Sequence, residues 1–272
     1  MVYVGIDAGS RTIKIVMIDG DDMSVIARSL VDQGVEQVSL AKGLYEKMLK
    51  INGINPSDVA KVIATGYGRN ALDWANTTVT EITCHATGVK HQHPNARTII
   101  DIGGQDNKLI RLSESGSVRD FSMNDRCAAG TGRFLEVVSD KLEIKLSDLG
   151  KIAAKANKPS VISSMCVVFA ETEIISLLAS GETPENIASG VQASIAKRIA
   201  SMSGGKVEDD IIFTGGAALV PGMKEALSIA LKCSIIVASD PKFTGAMGAA
   251  LIAAKEDRNR SNKLTTKYCE VK

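Results

Sequence analysis

Cys127 and Cys166 each stand at the head of an apolar run with helical spacing, behind polar residues of the kind that cap helices. Cys127 lies in Met123-Asn124-Asp125-Arg126-Cys127-Ala128-Ala129-Gly130-Thr131-Gly132, and Cys166 in Ser163-Ser164-Met165-Cys166-Val167-Val168-Phe169-Ala170-Glu171. The expected position of each is a helix N-terminus, where the backbone dipole favours bound negative charge. A cluster of iron and sulfide held by four thiolates is such an anion. One chain offers two cysteines in this setting, and two copies would offer four.

A second chemistry sits in a repeat that relates Asp7 to Asp101, an offset of 94 residues. Val4-Gly5-Ile6-Asp7-Ala8-Gly9-Ser10-Arg11-Thr12-Ile13-Lys14-Ile15-Val16 aligns with Thr98-Ile99-Ile100-Asp101-Ile102-Gly103-Gly104-Gln105-Asp106-Asn107-Lys108-Leu109-Ile110. Ile6, Asp7, Gly9 and Lys14 recur as Ile100, Asp101, Gly103 and Lys108. Each copy reads as a strand, an acidic residue, a glycine turn and a second strand. Such a hairpin can bring backbone N–H groups close to phosphate, while its carboxylate organises hydrated Mg²⁺. Ser10, Arg11, Thr12 and Lys14 in the first loop, and Gly104, Gln105 and Asp106 in the second, are the candidate neighbours of phosphate or of the attacking water. A third glycine turn, Thr214-Gly215-Gly216-Ala217-Ala218, follows the apolar Ile211–Phe213 and could lay backbone against an adenosine. Gly204-Gly205-Lys206 lacks the upstream glycine and the hydroxyl residue of a P-loop. The expectation is two similar half-domains around one nucleotide.

The elements that must hold these groups alternate strand and helix. Ser24–Val31, Val59–Thr65 and Val118–Met123 read as strands. Helices are expected from Val35 to Leu49 and over Glu81–His91, Gly132–Leu142, Ser147–Ala156, Cys166–Ala179, Pro184–Ser203, Gly222–Leu231 and Gly245–Ala254. The domain reading is one half from 1–95 plus 245–258, a second from 96–244 carrying both cysteines, and a polar tail over 259–272. The chain has 272 residues, 44% hydrophobic and 23% charged, enough to bury a real core. A net charge of +1 gives no bulk attraction for nucleic acid or an anionic membrane. No apolar run reaches the roughly 20 residues of a membrane span, and Met1 leads straight into a strand without a signal peptide. Five cysteines, an odd number in a chain too long to need staples, point to a reducing cytoplasm.

Two acidic glycine hairpins and a late Gly-Gly turn resemble the actin, sugar kinase and Hsp70 superfamily, an α/β fold of two duplicated ribonuclease H-like domains around a nucleotide cleft. More closely, Ala64-Thr65-Gly66-Tyr67-Gly68-Arg69, Asp101-Ile102-Gly103-Gly104-Gln105-Asp106, the Cys127 segment through Arg133-Phe134, and Val168-Phe169-Ala170-Glu171 resemble the activators of 2-hydroxyacyl-CoA dehydratases. The ATPase subunits of benzoyl-CoA reductase and the reductases of double-cubane cluster proteins share that family. The resemblance covers about residues 2–254. It implies an ATP-dependent, oxygen-sensitive homodimer with one [4Fe-4S] cluster, ligated by Cys127 and Cys166 of each copy. It also implies ATP/ADP and Mg²⁺ at Asp7, Gly9, Ser10, Thr12, Lys14, Asp101, Gly103, Gly104, Asp106, Gly130, Gly215, Gly216 and Ala217. A ferredoxin or flavodoxin would be the electron donor and an iron–sulfur enzyme the acceptor. Arg11 and Ile13 stand where small residues are more usual in these activators, and Met165 and Val167 where threonine often flanks the second cysteine.

Plainer readings apply elsewhere. Cys84 and Cys233 read as small core residues, Cys269 as an incidental thiol of the tail, and Trp74 as packing. His85, His91 and His93 have no metal-ligand spacing, and no Cys-x-x-Cys supports a zinc or thioredoxin-like site. A sugar kinase with Asp101 as base, or an actin-like binding module without redox chemistry, would use the same fold but leave Cys127 and Cys166 unexplained.

Overall fold

The computed structural model describes residues 1–163, 167–205 and 207–269, with side chains to residue 259. The chain forms two compact units, residues 1–92 with 242–272, and residues 93–241.

In the first unit, strands β1 (Val2–Ala8), β2 (Thr12–Asp19), β3 (Val25–Asp32), β4 (Val59–Thr65) and β5 (Thr77–Thr78) are joined by helices α1 (Gln37–Ile51) and α2 (Glu81–Gln92). The sheet order is β3-β2-β1-β4-β5, with β1–β2 antiparallel and β1–β4 parallel. β1 is central and every residue of it is buried. Its side chains divide by alternation, as the pleat requires. Val4, Ile6 and Ala8 join Ile13, Ile15 and Met17 in one core, under α1 residues Ala41, Met48 and Leu49. Tyr3 joins Val16, Ile18 and Ile63 in another core on the opposite face.

In the second unit, strands β6 (Thr98–Ile102), β7 (Asn107–Leu112), β8 (Val118–Asn124), β9 (Ile211–Thr214) and β10 (Ile235–Val237) order as β10-β9-β6-β7-β8. That is the first sheet's topology again, with β6 in the place of β1 and β9 in the place of β4. Helices α3 (Gly132–Lys141), α4 (Leu149–Ala153), α5 (Val167–Ala179) and α6 (Pro184–Met202) lie between β8 and β9, and α7 (Met223–Leu231) between β9 and β10. Phe134, Leu135 and Val138 of α3, Ile174 of α5, and Ile187, Val191 and Ile195 of α6 fill one core with Ile100, Ile102 and Leu109 of the sheet.

The last helix, α8 (Thr244–Cys269), belongs to the first unit and supplies Ala246, Ala249, Ala250 and Ala253 to the Tyr3 core. It runs past the Ala254 expected for its end, because the backbone stays helical through residues 259–269. Polar residues hold its middle turns. Lys61 Nζ meets Glu256 Oε2 at 2.6 Å, the Tyr3 hydroxyl donates to Asp257 Oδ2 at 2.8 Å, and Arg258 donates to the Gly20 carbonyl. A sequence window reads Lys, Glu, Asp and Arg as solvent-seeking, but each can extend a helix whose neighbours supply a counter-charge.

Candidate functional site

The first hairpin is built as its sequence suggests. Asp7 and Lys14 are register partners across β1 and β2, and Lys14 Nζ lies 3.1 Å from Asp7 Oδ2. The turn closes with Gly9 N donating to Thr12 O at 3.1 Å. Ser10 and Thr12 are half-buried, and Arg11 is exposed and reaches Asp32 at 3.4 Å. On the other side of Asp7, its parallel partner Thr65 ends β4 and is followed by Gly66 at φ +87°. A Cβ on Gly66 would come within 2.4 Å of Asp7 Oδ1, so glycine meets both the backbone angle and the approach of the carboxylate.

The second hairpin repeats each part. Asp101 pairs with Lys108 across β6 and β7, at 3.2 Å from Nζ to Oδ2, and Gly103 N donates to Asp106 O at 2.9 Å. Thr214 is the parallel partner of Asp101, and Gly215 follows it at φ +89°, where a Cβ would meet Asp101 Oδ1 at 2.8 Å. Thr65-Gly66 and Thr214-Gly215 are therefore equivalent, a correspondence the sequence repeat did not reveal. Four helices, α3 to α6, lie between β8 and β9 where α1 alone lies between β3 and β4 as an α-helix, so the constant offset is lost. Asp106 adds a second carboxylate at 2.9 Å from Lys108 Nζ. Gln105 is exposed at the tip.

Around Gly215, backbone makes the third turn. Gly215 N and Thr214 Oγ1 both donate to Pro241 O, at 2.8 and 2.7 Å. Gly216 is exposed, Ala217 is buried, and residues 216–219 form one 3₁₀ turn. A cavity of about 710 Å³ opens beside that turn within the second unit, bounded by Ala153, Ser189, Gln192, Ala193, Leu219 and Val220 among others. Gln192 Nε2 donates to Pro221 O at 2.7 Å and ties α6 to the turn. Of this region only the glycine turn was legible in the sequence, because the lining comes from residues scattered over α4, α6, α7 and the segments between them.

Cys127 departs from expectation. It is the extended residue, φ −130° and ψ 112°, before a 3₁₀ turn over Ala128–Gly130, and α3 begins only at Gly132. Thr131 between them is extended, so no α-helix amide end is presented by Cys127's own segment. Side-chain amides hold this segment instead. Asn124 Nδ2 donates to Cys127 O and Asn107 Nδ2 to Gly130 O, both at 2.9 Å. Cys127 is half-buried and leans on the unit's core with Val167. Gly130 is buried against Asn107, not open to solvent. Cys166 lies outside the described residues. α5, which starts at the next position in sequence, packs against the 3₁₀ turn that follows Cys127. α5 exposes Val168 and Phe169.

Behind Asp7, His85 is 7% exposed and its Nδ1 lies 3.0 Å from Thr244 Oγ1. A Cβ on Gly245 would sit 3.3 Å from both His85 Nε2 and Asp7 Oδ2, so these two groups border one small gap. Burial pushes the neighbouring Cys84 thiol up to about 12, helped by the charges of Asp7 and Glu81 and opposed by Thr65 and Arg69. Cys84 is thus the core residue expected of it. Among the described residues, no three His, Cys, Asp or Glu side chains converge as a metal site within one chain.

The BadF/BadG/BcrA/BcrD ATPase family model matches residues 4–253. The chain belongs to the BadF/BadG/BcrA/BcrD ATPase family. This ATPase is 43% identical over 255 residues to the activator of lactoyl-CoA dehydratase of Anaerotignum propionicum, covering 93% of this chain and 97% of that one. Its structure resembles the activator of the 2-hydroxyisocaproyl-CoA dehydratase of Clostridium difficile with bound ADPNP, with a TM-score of 0.90 and 38% identity over 97% of this chain and 98% of that one. The ROK hexokinase of Thermus thermophilus shares the fold, with a TM-score of 0.55 and 14% identity over 95% of this chain and 100% of that one. The actin and sugar-kinase type of α/β fold, expected from the paired hairpins, is the fold of this ATPase.

Proposed function

We propose that this ATPase is the activator of a 2-hydroxyacyl-CoA dehydratase or a related iron–sulfur enzyme, using ATP to deliver single electrons at low potential. Two copies would hold one [4Fe-4S] cluster through Cys127 and Cys166 of each. The observation that carries this reading is the packing of α5, which follows Cys166 in the chain, against the turn that follows Cys127. The donor chemistry fits: Cys127 is half-buried beside backbone that side-chain amides have fixed, and Cys127 with Cys166 makes two of the four thiolates the cluster needs, so a second copy would supply the other two. When bound, the cluster supplies one-electron chemistry.

The chain's own residues supply the rest. Asp7 and Asp101 would hold the water shell of Mg²⁺, each carboxylate being paired with a lysine on the neighbouring strand. Gly9, Ser10, Arg11 and Thr12, with Gly103, Gly104 and Asp106, line the phosphates. Lys14 serves a phosphate only by sharing the hold it has on Asp7. Asp101 or Gln105 would direct the attacking water, whose oxygen bonds to the γ-phosphorus as the bond to the ADP oxygen breaks and whose proton passes to the departing phosphate. The adenosine would lie against the backbone of Gly215, Gly216 and Ala217, whose next residues, Ala218 and Leu219, border the cavity. For one electron, about 59 mV corresponds to about 1.4 kcal/mol, so a few kcal/mol of nucleotide-linked free energy moves a donor by order 100 mV.

Anaerobic purification tests the reading. The protein should be brown, dimeric and carry about two irons per chain, four per shared cluster. Cys127→Ser and Cys166→Ser should each lose the iron, whereas Cys84→Ala should keep it. Full iron in either of the first two variants rules out the assignment.

A further inference from the structure

Helix α3 has no side-chain cap at its N-terminus. Its first two amides, Gly132 N and Arg133 N, donate to Gly103 O and Gly104 O at 2.8 and 2.9 Å, the backbone of the second acidic hairpin. A trans peptide is rigid and planar, with its C=O and N–H pointing opposite ways. The Gly103 carbonyl shares a plane with the Gly104 N–H, and the Gly104 carbonyl with the Gln105 N–H. While α3 holds the two carbonyls, those two N–H groups face away from it, on the side where a phosphate would be met. Tilting either plane to follow a phosphate must pull on α3.

Cys127 is tied to the same hairpin. Asn107 and Asn124 are register partners on β7 and β8, and they hold the carbonyls of Gly130 and Cys127, at either end of the turn before α3. Asn107 is 1% exposed, so no solvent replaces its bond to Gly130. Gly130 leaves that amide its space, since a Cβ there would come 2.7 Å from Asn107 Nδ2.

We propose that this ladder, from Gly103 and Gly104 to α3 and from Asn107 to Gly130, transmits the nucleotide state of the second hairpin to Cys127. Asn107 is its positioning residue. The proposal rests on the reading above that Gly103 and Gly104 meet a phosphate. It locates the coupling in backbone hydrogen bonds of one unit, set by one buried amide.

Hydrogen exchange of the full-length chain tests it, with saturating Mg·ADPNP against Mg·ADP. In the wild type, exchange over residues 128–134 should differ between the two states by about tenfold, the scale of one hydrogen bond made or lost. In Asn107→Leu, which branches at the same carbon but is bulkier and has no amide, and in the smaller Asn107→Ser, that difference should vanish. Calorimetry should still show nucleotide affinity within about threefold of wild type, less than one lost hydrogen bond. Variants that bind nucleotide and keep the wild-type difference overturn the role of Asn107. A wild type that binds both nucleotides yet exchanges identically over residues 128–134 overturns the ladder as the route, whereas loss of the ATP-coupled reading would show in the iron content.

Discussion

The two acidic hairpins share a plan but differ in what holds them. In each, an aspartate is flanked across the sheet by a lysine and by a threonine-glycine step: Lys14, Asp7 and Thr65-Gly66, against Lys108, Asp101 and Thr214-Gly215. The first is anchored by its own unit's loops, with Gln33 N on Arg11 O at 2.9 Å and Gly68 N on Ala8 O at 2.8 Å. The second is anchored by the segment that carries Cys127. Their lysines differ too. The Lys14 side chain is 15% exposed and has one carboxylate, whereas Lys108 is 2% exposed between Asp101 and Asp106. One duplicated hairpin is thus bonded to plain loops in one unit and to the segment that carries Cys127 in the other.

That contrast breaks most visibly at the lysines. Lys108→Met strands two carboxylates beside a buried methyl group and should cost about 3–5 kcal/mol in the second unit, read by denaturant unfolding. Lys14→Met leaves a single carboxylate, beside a lysine position that is itself more exposed than Lys108, and should cost about 1–2 kcal/mol. Equal losses would mean that the second carboxylate and the deeper burial have no energetic consequence.

Activity should treat the hairpins alike where stability does not. Asp7→Asn and Asp101→Asn should each lower ATP hydrolysis by at least roughly a hundredfold, the scale of losing a metal-orienting or proton-handling group. Their iron content should not change. A full rate in one of them would show that the duplicated aspartates are not both in use.

Gly245→Ala sharpens the first hairpin alone. Alanine is the better helix residue, so the melting temperature should hold or rise. The added methyl enters the gap between Asp7 and His85 and should weaken Mg²⁺-dependent nucleotide binding by about tenfold, as changes behind a metal-orienting group do. Unchanged binding would leave that gap without a role.

The smallest effect is at Cys84. Its thiol, pushed up to about 12 by burial, stays protonated where an unfolded chain's thiol ionises near 9.0. The unfolded state therefore sheds a proton first. The stability linked to Cys84 is complete below about pH 9 and declines as pH rises toward about 12. Cys84→Ala should flatten that part of the alkaline unfolding profile, and a curve that keeps its slope would clear Cys84 of the effect.

The hairpins, the glycine turn and most helices were legible because their signals are local: alternation over seven or eight residues, and glycine where backbone must come close. Three features were not. Thr65-Gly66 and Thr214-Gly215 match only once the sheets are superposed, since α3–α6 break the repeat's spacing. Cys127's segment has helix-capping composition, yet Asn107 and Asn124, from strands it does not belong to, hold it extended. The run of α8 beyond Ala254 was missed because Glu256, Asp257 and Arg258 find partners, Lys61, Tyr3 and Gly20, far away in sequence.

The place of α8 also has a consequence for synthesis. The second unit is one unbroken stretch, residues 93–241, whereas the first is split around it. As the chain leaves the ribosome, β1–β5 emerge early, but the core containing Tyr3, Val16 and Ile63 has no Ala246, Ala249, Ala250 or Ala253 to close against. That face stays uncovered until nearly the whole chain is made. The second unit, though later in sequence, completes its own strands and helices first, and the first unit becomes whole only when its final helix returns.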